Sequence, residues 1–227
     1  MNAKSNIVYR TNVARSDMED VHALHAEWFP VNYSDDFFES IVSQDDVVTV
    51  LAELESKIVG MATVAIRRTE TRYNFDGDLL PYLGLGSPGD ASSPRIAYIL
   101  TLGVVDELRG LGIASDLLRQ AIIQTQASDP SCVVIFLHVI EYNLTAMGLY
   151  EKYGFKRFKV EPNFYKLGET WYSGVMFYFP LMNLDKVGPI QRISQWIKRK
   201  LSSFLEFWWT GTGVKRRKSL QTFSETV

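Results

Sequence analysis

Residues 95–124 read RIAYILTLGVVDELRGLGIASDLLRQAIIQ, a β-forming run that passes through a glycine-rich turn into an amphipathic helix. The run RIAYILTLGVV (95–105) is apolar and β-branched, which suits a buried strand. From about Leu111 to Gln126, Ile113, Leu117, Leu118, Ala121 and Ile122 recur at helical spacing and share one face. Between them stands Arg109-Gly110-Leu111-Gly112-Ile113-Ala114-Ser115. Glycines at a strand-to-helix turn let the backbone approach a ligand closely, and the free N–H groups of the first helical turn carry the positive end of the helix dipole. A pyrophosphate would be held there; the competing reading of the motif alone is a ligand-free turn. The lack of Gly-Lys-Ser/Thr excludes a P-loop, and Ser115 spoils the dinucleotide-binding spacing.

Working outward, a strand is expected near Ile7–Tyr9. Ser16-Asp17-Met18-Glu19 matches a capping box opening a helix that Pro30 ends, and a short second helix follows Ser34. VVTVLAEL (47–54) and KIVGMATVAIRR (57–68) read as a hairpin turning at Glu55-Ser56. Residues 69–94 read as a long loop; the Gly84-Leu85-Gly86-Ser87-Pro88-Gly89 within it has neither the preceding strand nor the following helix of a nucleotide fingerprint. A strand CVVIFLHVI (132–140), a helix 144–152, a strand FKRFKV (155–160) and a strand WYSGVMFYFPL (171–181) complete the pattern. The alternation predicts an α/β fold with a mixed twisted sheet and helices on both faces.

Composition narrows the class further. The chain has 227 residues, 46% of them hydrophobic, and a net charge of −2, which is ordinary for a globular protein. Its one cysteine, Cys132, excludes an internal disulfide and suggests a reducing compartment. The near-neutral charge conceals an asymmetry: residues 1–185 carry 15 Lys+Arg against 24 Asp+Glu, a net −9, while residues 186–227 carry 9 against 2, a net +7. In this tail Ile190, Ile193, Ile197, Leu201, Phe204 and Trp208 form one helical stripe, with Arg192, Lys198 and Arg199 opposite and Lys215-Arg216-Arg217-Lys218 beyond. A basic amphipathic segment with interfacial tryptophans is expected to lie on an anionic membrane surface; a helix packed back on the body or a nuclear-localisation run are the competing readings. No stretch reaches the ~18 apolar residues of a spanning helix, and the N-terminus lacks a secretory signal, so the body is expected to face the cytosol or nucleus. An acidic body argues against nucleic-acid binding. The simplest division is a catalytic domain, 1–185, and a basic amphipathic tail, 186–227.

Two motifs carry a resemblance. Arg109, Gly112 and Ala114 resemble the R-x-x-G-x-A acetyl-CoA pyrophosphate motif of the GCN5-related N-acetyltransferases (GNAT). Some thirty residues on, Asn143, Ala146, Tyr150, Gly154 and Phe155 are similar to that family's N-x-x-A-x-x-x-Y-x-x-x-G-F signature. Trp28-Phe29-Pro30-Val31-Asn32-Tyr33, Ala97–Val105 and Leu137-His138-Val139 together resemble the N-terminal acetyltransferases that act on Met-initiated chains, most of all the membrane-associated NatF type, which is found on Golgi or plasma membranes.

The resemblance implies a cofactor, acetyl-CoA, held by Leu102, Gly103, Val104, Arg109, Gly110, Leu111, Gly112, Ile113, Ala114, Ser115, Asn143 and Tyr150. It implies a substrate wall of Phe29, Pro30, Val31, Tyr33, Leu100, Phe164 and Tyr165 that suits methionine. Asn32 stands where the similar proteins carry an acid. No metal is implied. His138 and Tyr98 would work through an ordered water as acid and base; an α-amine has a pKa of ~7.7–8.0, so a modest base suffices, and His138 is the better acceptor. The backbone N–H groups at Leu102–Val104 would stabilise the developing oxyanion, and Tyr150 would protonate the leaving thiolate. His22 and His25 carry no motif. On residues alone, His138 and Tyr98 also read as core side chains. The expected activity is therefore direct acetyl transfer to Met-initiated protein N-termini, particularly those of membrane proteins, at the cytosolic face of a membrane. Acetylation of lysine or small amines, and a non-catalytic membrane adaptor, are the alternatives.

Overall fold

The run VVTVLAEL forms β2 (Val47–Leu54), buried on both faces over its first six residues, and pairs antiparallel with β3 (Lys57–Arg68). Their two-residue turn holds Glu55 and Ser56 at φ 50° and 65°, the left-handed pair that matches the twist of a tight hairpin. A computed structural model describes residues 6–29, 33–43, 46–68, 78–85 and 94–181. The expectations for Pro30, Val31, Asn32, Gly86–Gly89 and the basic tail lie outside these residues.

The remaining elements are β1 (Val8–Arg10), α1 (Met18–Trp28), α2 (Asp35–Ser43), α3 (Leu79–Leu83), β4 (Arg95–Val104), α4 (Ile113–Ser128), β5 (Cys132–Ile140), α5 (Leu144–Lys152), β6 (Lys156–Leu167) and β7 (Thr170–Pro180). The strands form one seven-stranded sheet in the order β1-β2-β3-β4-β5-β7-β6. Every neighbouring pair is antiparallel except β4 and β5, which α4 joins as a crossover.

Because side chains alternate across a strand, neighbouring residues enter different cores. Val50, Ala52, Ala62 and Val64 pack with Ile113, Leu117, Leu118 and Ala121 of α4 and with Tyr150 of α5. Leu51, Ile58 and Met61 meet Val21 of α1 and Phe37, Phe38 and Ile41 of α2 on the opposite face. The mixed sheet covered on both faces is the architecture expected from the sequence.

Four local expectations are corrected. Ser16 does not cap α1: a 3-10 turn at Arg15–Asp17 precedes it, and the Asp17 carboxylate accepts the Ala14 N–H at 2.7 Å and an Arg10 N–H at 2.9 Å. The helix after the glycine turn starts at Ile113, because Gly112 is still left-handed at φ 84°. The segment read as loop contains α3, whose Leu79, Leu80 and Leu83 bury against Ile96, Phe136, Met176 and Tyr178; a five-residue helix with Pro81 in its first turn is too short to show a period. Finally, β6 runs on to Leu167 across an irregularity at residues 162–164, beyond the strand expected at 155–160.

The hairpin turn yields a stability test. Left-handed φ costs a non-glycine residue about 1–2 kcal/mol. Replacing Glu55-Ser56 by Asn-Gly stabilises the chain by about 1 kcal/mol, a rise in Tm of roughly 2–4 °C by calorimetry; a lower Tm would contradict the turn geometry.

Candidate active site

β4 and β5 pair only as far as Tyr98↔Phe136. Beyond that point each keeps its outer neighbour, β4 on β3 to Val104↔Gly60 and β5 on β7 to Ile140↔Gly174. The two parallel strands therefore part in the middle of the sheet. Backbone groups of residues 99–104 that point away from β3 face a cleft, where a ligand can satisfy them. The β3–β4 register slips at the same place, leaving Leu100 as the extra residue of a bulge, and Leu100, like Trp28 and Tyr33, packs against the α1–α2 cluster.

The chain leaving β4 turns through Asp106–Leu108 and enters α4, so the N-terminus of α4 stands at the end of β4 where the strands part. Gly110 and Gly112 hold φ 79° and 84°, and a Cβ at Gly110 would meet nothing within 4 Å. No side chain caps α4. Open space, a left-handed glycine pair and an uncapped helix start fit the pyrophosphate of an acyl-CoA. Arg109 Nε donates to the Val104 carbonyl at 3.1 Å and its guanidinium pairs with Asp106, so the side chain staples the turn to the end of β4. Asn143 is the N-cap of α5, its Oδ1 accepting the Ala146 N–H at 3.0 Å.

Gly103 is explained by packing. A Cβ there would lie 2.2 Å from Trp28 Cε3, so the indole at the end of α1 rests directly on the β4 backbone. Next along the chain, Phe29 and Tyr33 surround buried His25 at ring distances of 5.6 and 5.2 Å, and Tyr33 stacks on Phe37 at 4.5 Å. Phe29, Tyr33 and Phe37 thus form an aromatic cluster with His25 on one side of the sheet.

On that same face the Tyr98 hydroxyl lies 3.1 Å from His138 Nδ1. The His138 side chain is fully buried, and Phe164 stacks on its ring at 4.1 Å with an interplanar angle of 16°. Between Glu161↔Gly174 and Tyr165↔Tyr172, β6 carries two residues more than β7, with Asn163 at φ 55°. This bulge turns Phe164 over His138, and Gly174 leaves the room: a Cβ there would lie 2.8 Å from Phe164 Cγ. Tyr165 meets Phe164 edge-on at 4.8 Å, and Tyr150 is buried on α5 against Phe155 and Phe177.

Burial sets the protonation states. It pushes the Tyr98 phenol well above its ordinary range, with Arg67 opposing, and raises Tyr33, Tyr150 and Tyr165 likewise. It also pulls His138 below the usual histidine value, against the opposing pull of Glu161. Near neutral pH the pair is a phenol that keeps its proton and an imidazole that can accept one. Cys132 is a poor nucleophile here: burial raises its thiol to about 12, and it lies six positions along β5 from His138, roughly 20 Å.

Sequence reasoning missed Trp28 as the partner of Gly103, Gly174 beneath Phe164, and Arg67, Lys159 and Glu161 around His138. These contacts cross between strands, and the Pro162-Asn163 dipeptide was the one local signal of the bulge.

The acetyltransferase (GNAT) family model matches residues 18–155. The chain belongs to this family. It is 35% identical to N-alpha-acetyltransferase 60 of Danio rerio over 157 residues, which cover 68% of the chain and 62% of that relative. It is 28% identical to the histone acetyltransferase MCC1 of Arabidopsis thaliana over 171 residues, 72% of the chain and 66% of the relative. The chain thus spans somewhat less than two thirds of the length of these curated relatives. Among solved structures, Arabidopsis thaliana NAA60 in complex with a bisubstrate analogue superposes with a TM-score of 0.64 at 26% identity, covering 77% of this chain and 97% of that one. The same enzyme is known in complex with acetyl-CoA, at 27% identity and the same TM-score. The α/β sheet described above is therefore a GNAT fold.

The contact between Trp28 and Gly103 is directly testable in this GNAT domain. Gly103→Ala forces the indole off β4 and destabilises by about 1–3 kcal/mol, read as a fall in Tm. In a Trp28→Leu background the same change costs less, because its partner has gone; equal costs in both backgrounds would show that the contact does not constrain Gly103.

Proposed function

We propose that this chain is an acetyl-CoA-dependent N-alpha-acetyltransferase that acts on Met-initiated protein N-termini, of the Met-hydrophobic and Met-Lys type, at the cytosolic face of a membrane. The observation that carries the reading is the Tyr98–His138 pair at 3.1 Å, on the face that also bears the aromatic cluster and beside the parting of β4 and β5. The relatives that are N-alpha-acetyltransferases, and a similar structure solved with acetyl-CoA, support the reaction class and the cofactor.

When bound, acetyl-CoA supplies the acetyl group as a thioester. Gly110–Ser115 at the start of α4 take its pyrophosphate, with Leu111 and the first-turn N–H groups lining the loop, and cleft-facing backbone of Leu102–Val104 takes its acyl end. Phe29, Tyr33, Leu100, Phe164 and Tyr165 hold the first substrate residue. The attacking α-amine gives up its proton, through an ordered water, to the Tyr98–His138 pair, and the proton comes to rest on His138 Nδ1 while Tyr98 links the two. Tyr150, kept protonated by burial, supplies the proton donor on α5. No acyl-enzyme is needed, in keeping with the raised and distant Cys132 thiol.

The expected outcome in turnover assays with Met-X peptides is that Tyr98→Phe and His138→Ala each lower kcat by about 10²-fold or more while acetyl-CoA affinity is retained. Because His138 is held below 6.5, it is already an acceptor at pH 7; kcat/KM therefore rises with the deprotonation of the substrate amine near pH ~7.7–8.0. The similarity to a histone acetyltransferase favours a second reading, acetylation of lysine side chains. Activity on lysine side chains with none on Met-Leu or Met-Lys N-termini would establish that reading in place of the first.

Residues 186–227 are proposed as the membrane-binding tail, peripheral on Golgi or plasma membrane, that brings the domain of residues 1–185 near the N-termini of membrane proteins. Among the described residues no helix is long and apolar enough to cross a membrane, and the tail's net +7 with its apolar stripe suits surface attachment. The full chain should sediment with vesicles containing anionic lipid, and residues 1–185 should remain in solution; equal sedimentation would assign the anchor elsewhere.

A further inference from the structure

Glu161 stands on β6 just before the bulge, on the face of the sheet that carries His138. Its Oε1 is 4.0 Å from His138 Nε2, on the side of the ring opposite Tyr98. Lys159 Nζ holds the same oxygen at 2.8 Å and reaches Asp78 Oδ2 at 3.0 Å, which ties the carboxylate to the residue preceding α3. Among the described residues, the charged and titratable groups facing His138 include Arg67 on β3, Tyr98 on β4, and Lys159 and Glu161 on β6. Two of these are cations, and Glu161 is the acid set against them.

A neutral imidazole has one N–H and one lone pair. A neutral phenol can donate or accept, so the Tyr98 hydroxyl fits either tautomer, and the carboxylate 4.0 Å from Nε2 decides between them: it favours a proton on Nε2, which leaves the Nδ1 lone pair to accept from Tyr98. The ring proton is then on Nε2, the nitrogen that faces Glu161. With the ring proton on Nδ1 instead, Nε2 would turn a lone pair toward a carboxylate, which is repulsive. At 4.0 Å the carboxylate acts through its field more than through a full hydrogen bond, and that field also favours the imidazolium formed when a proton arrives at Nδ1.

Resting on the catalytic reading of the Tyr98–His138 pair, we infer that Glu161 is a positioning residue that fixes His138 in the Nε2–H form and stabilises the cation this histidine becomes during turnover. Lys159 and Asp78 in turn hold Glu161 in place. The role differs from that of a catalytic residue, since Glu161 acts on substrate only through His138.

The test uses the full chain with Glu161→Gln, Glu161→Asp and Glu161→Leu. The Gln variant keeps size and hydrogen bonding without charge and so carries the test if Leu fails to fold. The expected result for Glu161→Gln is a fall in kcat of about 10- to 100-fold with peptide KM within about twofold. The acid-side inflection of kcat moves to lower pH, because the carboxylate raises the His138 pKa and its loss lowers it further. Asp restores part of the rate. Nitrogen-15 NMR of the ring, with His138 assigned through His138→Ala, shows Nε2–H in the unsubstituted chain and a mixture of both neutral forms in Glu161→Gln. An unchanged kcat, inflection and ring form, with only Tm or KM altered, would overturn the inference and make Glu161 structural. Full turnover in His138→Ala would instead overturn the catalytic reading and Glu161's effect on rate with it, while the ring nitrogens would still decide the tautomer.

Discussion

The parting of β4 and β5 after Tyr98↔Phe136 is the constraint on which the rest of the molecule turns. A parallel pair inside a sheet ordinarily satisfies its backbone groups along its whole length. Here β3 and β7 pull the two strands apart, and peptide groups are left to a cleft at the centre of the fold. The bulge at Leu100, the glycine turn into α4 and the start of α5 all border this opening, so one irregularity of the ladder opens a cleft and sets Tyr98 and His138 beside it.

The two faces of the sheet then take different tasks. One is closed by α4 and α5 over an aliphatic core, where Tyr150 is buried. The other carries α1, α2 and α3, and on it stand Tyr98, His138, Phe164, Leu100 and Tyr33. Close approach on this face is achieved by omitting side chains: Gly103 admits Trp28 and Gly174 admits Phe164. A stack at 4.1 Å and a bond at 3.1 Å leave the His138 ring little freedom, which favours a preorganised proton acceptor over a mobile one.

Family and chemistry were legible in the glycine turn at 109–115, in Asn143–Phe155, and in the alternation of strands and helices. The roles of single residues inside those motifs were less so. Arg109 and Asn143 read as ligand contacts in a motif, and the structure adds a local task for each: one staples a turn and the other caps a helix. A lone histidine in CVVIFLHVI reads equally as core until Tyr98, forty residues earlier, is found bonded to it.

The sequence by itself determined the strand and helix periods, the glycines at the start of α4, and the opposed charges of body and tail, since these depend on local spacing and composition. Only the tertiary structure decided that β4 and β5 separate, that Phe164 lies on His138, and that Glu161, held by Lys159 and Asp78, faces the other side of that ring. Those relations join residues as far as 81 positions apart or rest on a two-residue slip in register. Neither leaves a periodic trace along the chain, because register and cross-strand reach are set by the packing of whole elements.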